Sequence, residues 1–119
     1  MRRLEAVIAS PDEDVRTRVV QVLVSGGHAV VAETTTSVEA LELCLERLVN
    51  VVVLDDQIHP VRGSEIARIL TGLRPRLTAI VLSRVDLDED GGLLALDPDR
   101  DGFEAALENA LAGLAGGHP

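Results

Sequence analysis

Short apolar runs rich in Val, Leu and Ile alternate along this chain with segments whose apolar residues recur at helical spacing. That alternation predicts βαβ units built around a mostly parallel sheet. Runs at 4–9, 28–33, 50–55, 77–83 and, more weakly, 93–96 predict five strands. The third, Val51-Val52-Val53-Leu54, is apolar at every position, as expected of a central strand covered on both faces.

Between the runs, Val15, Val19, Val22 and Leu23 share one helical face, and Gly26-Gly27 supply a stop. Thr36 and Glu39 stand at capping-box spacing, with Val38, Leu41, Leu45 and Leu48 as the buried stripe expected of a second helix. Ile66, Ile69, Leu70 and Leu73 predict a third helix, which Pro75 ends. The last is the most regular: Phe103, Ala106, Leu107, Ala110, Leu111 and Leu114 recur on one face before Gly116-Gly117. One helix is missing from the alternation, because residues 84–92 are acidic and Gly-terminated and read as a loop.

A chain of 119 residues suffices for one domain with a real core. The expected division is a domain over 1–115 and a flexible tail over 116–119. Phe103 is the sole aromatic residue, so the core is aliphatic and offers no platform for base stacking. All eleven cations are arginines and the net charge is −9, a balance that disfavours direct nucleic-acid binding. No run approaches the length of a membrane span, and the first apolar run is too short for a signal-peptide core. Cys44 is the single cysteine, which excludes an internal disulfide. The expected setting is the cytoplasm, away from membranes.

In open α/β sheets ligands bind beyond the carboxyl ends of the strands. Asp55-Asp56 ends the third run. The stretch Val51-Val52-Val53-Leu54-Asp55-Asp56-Gln57-Ile58-His59-Pro60, followed by Gly63-Ser64-Glu65, resembles the phosphoacceptor segment of response-regulator receiver domains: an apolar strand, an aspartate, a proline four residues on, and a glycine opening a helix. The resemblance extends in order through Val15-Arg16, Glu39-Ala40-Leu41, Val81-Leu82-Ser83 and the last helix. It implies a three-layer flavodoxin-like α/β fold, with strand order 2-1-3-4-5 and a fourth helix shortened or missing. By the proline spacing it implies Asp56 as the phosphoacceptor position, and Ser83 as the hydroxyl that would hold a phosphoryl oxygen.

Measured against that pattern, several parts differ. Ser10-Pro11 stand where the resemblance implies an acidic pair holding Mg²⁺, with Asp12 and Glu13 just after. Asp56 and Asp12 are therefore the candidate ligands of a weakly bound Mg²⁺, and no other cofactor is expected. The position of the paired lysine falls on Leu96, that of the aromatic switch on Leu93, and the loop between Pro60 and Gly63 is one residue short. The expectation is a degenerate, non-enzymatic receiver that signals by protein contact, with a protein partner or a homodimer. An apolar surface near 93–96 and Phe103 is the expected interface. The alternative is a phosphorelay receiver that accepts phosphate on Asp56 from a histidine kinase.

Asp97, Asp99 and Asp101, with Gly102 and then Glu108, satisfy the calcium-loop pattern, and Asp86, Asp88, Asp90 and Gly91 begin a second near-match. A calcium loop sits between two helices, and neither segment has one before it, so the acidic loop is expected not to hold calcium. Cys44 reads as helix packing, His28 and His59 have no ligand partners at metal spacing, and His118 belongs to the tail.

Overall fold

The computed structural model describes residues 2–85 and 93–116. The elements run β1 (Glu5–Ala9), α1 (Glu13–Ser25), β2 (Ala29–Thr34), α2 (Ser37–Glu46), β3 (Val51–Asp55), α3 (Gly63–Leu73), β4 (Thr78–Leu82), β5 (Leu94–Leu96) and α4 (Phe103–Leu114). The five strands form one parallel sheet in the order β2-β1-β3-β4-β5, the flavodoxin-like arrangement expected. The loop expected in place of a fourth helix, together with the second near-match to a calcium loop, lies outside the described residues from Asp86 to Gly92.

Alternation along the strands builds two cores. Leu4, Ala6, Ile8, Val51, Val53, Ile80 and Leu82 pack against Val15, Val19 and Leu23 of α1 and Phe103, Leu107 and Leu111 of α4. On the other face Val7, Ala9, Val52, Leu54, Ala79 and Val81 meet Ala40 and Cys44 of α2 and Ile66, Ala67 and Leu70 of α3. Successive side chains of a strand point to opposite faces, and each fully buried Leu or Ile stabilises the fold by about 1.5–3 kcal/mol. Phe103, expected near an exposed interface, is instead buried, with the Arg18 guanidinium 5.1 Å above its ring.

The buried faces of α2 and α3 differ from those read in the sequence. Ser37, Ala40 and Cys44 are the buried positions of α2, while Val38 and Leu45 are exposed and Leu48 falls beyond the helix end. In α3 the buried set includes Gly63, Ser64 and Ala67, and Ile69 and Leu73 point outward. Small residues let both helices lie close to the sheet, and the larger apolar side chains are left outside. The capping box is half formed: Thr36 Oγ1 accepts from the Glu39 amide at 3.3 Å, but the Glu39 carboxylate accepts from Thr34 Oγ1 at 2.6 Å.

Candidate functional site

The register fixes which groups meet at the carboxyl ends of the strands. Ala9 pairs with Leu54 and Leu82 with Asp55, so Asp56 lies level with Pro11, two residues beyond the first pair, and with Ser83, one beyond the second. The ladder continues that far, because the Asp56 amide donates to the Leu82 carbonyl at 2.9 Å. By the same alternation Ser10, Asp55 and Arg84 fall on the α1/α4 side of the sheet, and Asp56 falls on the α2/α3 side. Two adjacent carboxylates therefore enter different surroundings.

Asp56 is 8% exposed and is held by the start of α3. Its Oδ1 accepts from the Ser64 amide at 2.8 Å, and its Oδ2 from Arg62 Nη2 at 2.5 Å. A helix N-terminus presents unpaired amides and a positive partial charge, so a carboxylate placed there is stabilised. Burial pushes the Asp56 carboxyl up, but the Arg62 hydrogen bond, the Ser64 amide and hydroxyl and the Arg62 charge outweigh it, holding the group below its ordinary 3.8. The contact depends on Gly63. A Cβ there would stand 2.5 Å from the Asp55 carbonyl oxygen and 3.0 Å from Asp56 Cα. Only a residue without a side chain lets α3 start this close to the strand end.

Asp55 is fully buried. Ser10 Oγ donates to its Oδ2 at 2.7 Å, and the Gln57 amide to its Oδ1 at 3.0 Å. Arg84 Nη1 lies 3.5 Å from Oδ1 and has no hydrogen bond of its own, while Arg84 Nε donates to Asp99 Oδ2 at 3.1 Å. Arg84 thus ties the end of β4 to Asp55 and to the loop before α4. A buried carboxylate needs such a counter-charge, since an isolated one would cost far more than folding can supply.

The other candidates are spread apart. Asp12 is the N-cap of α1, its Oδ1 accepting from the Asp14 and Val15 amides, so this carboxylate is committed to the helix. Ser83 Oγ accepts from the Val85 amide at 3.2 Å and donates to the Val85 carbonyl at 2.8 Å, a strand-end turn. Asp97 Oδ1 accepts from the Asp99 amide, Asp99 pairs with Arg84, Asp101 is exposed, and Glu108 lies within α4. The calcium pattern is not gathered into a cage. Cys44 is buried, and burial pushes its thiol up to about 11 against the opposing charge of Arg74. His28 Nδ1 accepts from the Leu4 amide at 3.0 Å.

A divalent cation beside Asp56 needs converging oxygen ligands. Pro11 brings no side-chain oxygen to the level of Asp56, Asp12 caps α1, Asp55 turns to the other face, and Arg62 covers Oδ2. Among the described residues no three His, Cys, Asp or Glu side chains are placed to hold a metal. The residues present do not fit Mg²⁺. Instead two guanidinium groups, Arg62 and Arg84, supply positive charge at the strand ends of a chain without lysine. Sequence reading placed no cation here. The signal was an acid ending an otherwise apolar strand, which calls for a partner.

No protein-family model matches the sequence, and no curated protein does. Solved structures do. The chain superimposes on the signal receiver domain of NarL from Mycobacterium tuberculosis with a TM-score of 0.83 at 22% identity, covering 99% of this chain and 100% of that one. The chain has the receiver fold. The signal receiver domain of an HD domain-containing protein from Pseudomonas fluorescens Pf-5 matches with a TM-score of 0.82 at 21% identity, over 98% and 90% of the two chains. The non-phosphorylated receiver domain of the stress response regulator RcsB from Escherichia coli gives 0.77 at 19%, over 98% and 95%. At these identities the likeness is one of receiver fold, and function has to be argued from the site. Among the described residues no helix is long and apolar enough to cross a membrane.

Proposed function

We propose that this chain is the regulatory receiver module of a response regulator and that it acts by protein contact, without an aspartyl phosphate. One observation carries the reading: the Asp56 carboxylate is already paired within its own chain, Oδ2 with Arg62 and Oδ1 with the Ser64 amide, while its neighbour Asp55 turns to the other face of the sheet. Transfer of a phosphoryl group relies on positioned charge, ordinarily including a metal ion that neutralises the phosphate. Here the attacking oxygens are engaged, and Ser83 is turned to Val85. The module is non-enzymatic in this reading, works in the cytoplasm, needs no cofactor and meets a protein partner or a second copy of itself. Val85 and Leu94, exposed on the β4–β5 side, support a contact there.

Arg62 favours one alternative. Its guanidinium is a fixed cation beside Asp56, the role that a lysine would fill, so a phosphorelay receiver fed by a histidine kinase has one of its parts. Incubation with acetyl phosphate and Mg²⁺, followed by intact-mass measurement of the wild type, Asp56→Asn and Asp55→Asn, separates the two. The proposal expects no adduct on any of them. A near-stoichiometric phosphate adduct that Asp56→Asn abolishes would establish the phosphorelay reading.

A further inference from the structure

At the opposite end of the sheet from Asp56, where the strands begin, a groove of about 560 Å³ opens between the segments that precede β1, β3 and β4. Its walls include Arg2, Arg74 and Arg76 with Leu48, Val49 and Leu77. Leu48 is 84% exposed, and Leu45 and Leu73, at the ends of the flanking helices, are exposed as well. These are the side chains that the close seating of α2 and α3 leaves without a buried place.

The charge of this end runs against that of the chain. Three of the eleven arginines, Arg2, Arg74 and Arg76, line the groove, and Arg3 and Arg47 are the chain neighbours of its lining residues Arg2 and Leu48, on a protein of net charge −9. Helix carboxyl ends account for two of them: Arg74 donates to the Leu45 carbonyl, and Arg2 Nη2 to the Leu114 carbonyl at 3.4 Å. The side chains of Arg3, Arg47 and Arg76 make no hydrogen bond or ion pair with another described residue.

We infer that this groove is a docking site for an acidic amphipathic segment of a protein partner, with an apolar side chain seated against Leu48 and Leu77 and carboxylates flanked by Arg76 and Arg47. The combination selects the occupant. Cationic residues around an apolar floor complement a segment that alternates carboxylates with Leu, Ile or Val. The site is concave, which suits an inserted side chain better than a bilayer surface. It has no aromatic residue on which a base could stack. The inference does not rest on the phosphorylation-independent reading, because no group at the strand carboxyl ends takes part.

The test is a ¹⁵N-edited NMR titration of the whole chain with a 15-residue peptide bearing Leu at helical spacing on one face and Glu elsewhere. Saturable shifts confined to residues 45–50, 73–78 and Arg2 are expected, with at least about tenfold weaker binding for Leu48→Ser and for Arg76→Glu. Both side chains are exposed, so both variants keep the fold. Added salt weakens the binding, and a peptide with Lys in place of Glu produces no shifts. The inference fails if the Glu peptide causes no shifts at millimolar concentration, or if the Lys peptide binds equally. It also fails if the same residues shift only with phosphatidylglycerol vesicles, or shift on raising the protein concentration alone.

Discussion

Asp55 and Asp56 are neighbours in sequence with nearly equal burial, yet they sit in two regions that treat charge differently. Around Asp55 the site is closed: a serine hydroxyl, a backbone amide and the Arg84 guanidinium surround it, and Arg84 is only 24% exposed. Around Asp56 the site is open at one side, where the Arg62 side chain is 60% exposed. Strand alternation alone creates the difference, by sending consecutive side chains to opposite faces. What the contrast teaches is a division of labour. Asp55 and Arg84 hold the strand ends and the loop before α4 together, whereas Asp56 is held by the start of α3 and by an arginine that faces solvent.

The sharpest way to break this comparison is to remove each arginine in turn. Arg84→Met leaves Asp55 buried without its counter-charge and is expected to lower stability by roughly 2 kcal/mol in urea denaturation. That is less than the loss of about 3–5 kcal/mol seen for fully buried pairs, because Arg84 is partly solvated. Adding Asp55→Leu to Arg84→Met should recover most of the loss. Arg62→Met, by contrast, should leave the denaturation midpoint close to the wild type. Equal effects of Arg84→Met and Arg62→Met would erase the distinction between the two regions.

A substitution that strikes both regions sharpens it further. Gly63→Ala places a methyl group against the Asp55 carbonyl and Asp56 Cα, which the backbone can relieve only by moving α3 away. Overpacking of this kind costs about 1–3 kcal/mol, and here it also withdraws the Ser64 amide from Asp56. Thermal melting measures the loss. Gly72→Ala, whose added Cβ would meet nothing within 4 Å beyond its chain neighbours and the backbone of its own helix, is the control and should not destabilise.

Legibility in the sequence follows the same lines. The five strands could be read because Val- and Ile-rich runs alternate with helical segments, their order because the resemblance to receiver domains implied it, and Gly63 because the glycine opens a helix after an apolar strand. The packing of α2 could not, since hydrophobicity points to Val38, Leu45 and Leu48, whereas closeness to the sheet is set by the small Ser37, Ala40 and Cys44. The charge pairs escaped as well. Asp55 and Arg84 are far apart in the chain and meet only because β3 and β4 pair in register, and Arg62 lay in a loop noticed for its length alone.

Smaller effects appear with pH. Asp56 has its carboxyl held below 3.8, so its contribution to stability is complete above that value and is lost as pH falls through the depressed value. Arg62→Met should shrink this acid-side loss. His28 titrates earlier. Burial lowers it from 6.5, so its contribution is complete above 6.5 and declines as pH falls below, when protonation also ends its acceptance from the Leu4 amide. Denaturation between pH 7 and 5 should show a decline for the wild type that is absent in His28→Gln; a decline of the same size in both would exclude His28 as its source.

The central claim is that Asp56 is neutralised by its own chain and not by a metal-bound phosphoryl group. Beryllofluoride with Mg²⁺ tests it most directly, because this phosphoryl mimic is not lost by hydrolysis as an aspartyl phosphate can be. In ¹⁵N-edited spectra the account predicts no saturable change at residues 55–64 or 82–85 on adding both. Saturable shifts there that require Mg²⁺ and vanish in Asp56→Asn would contradict it.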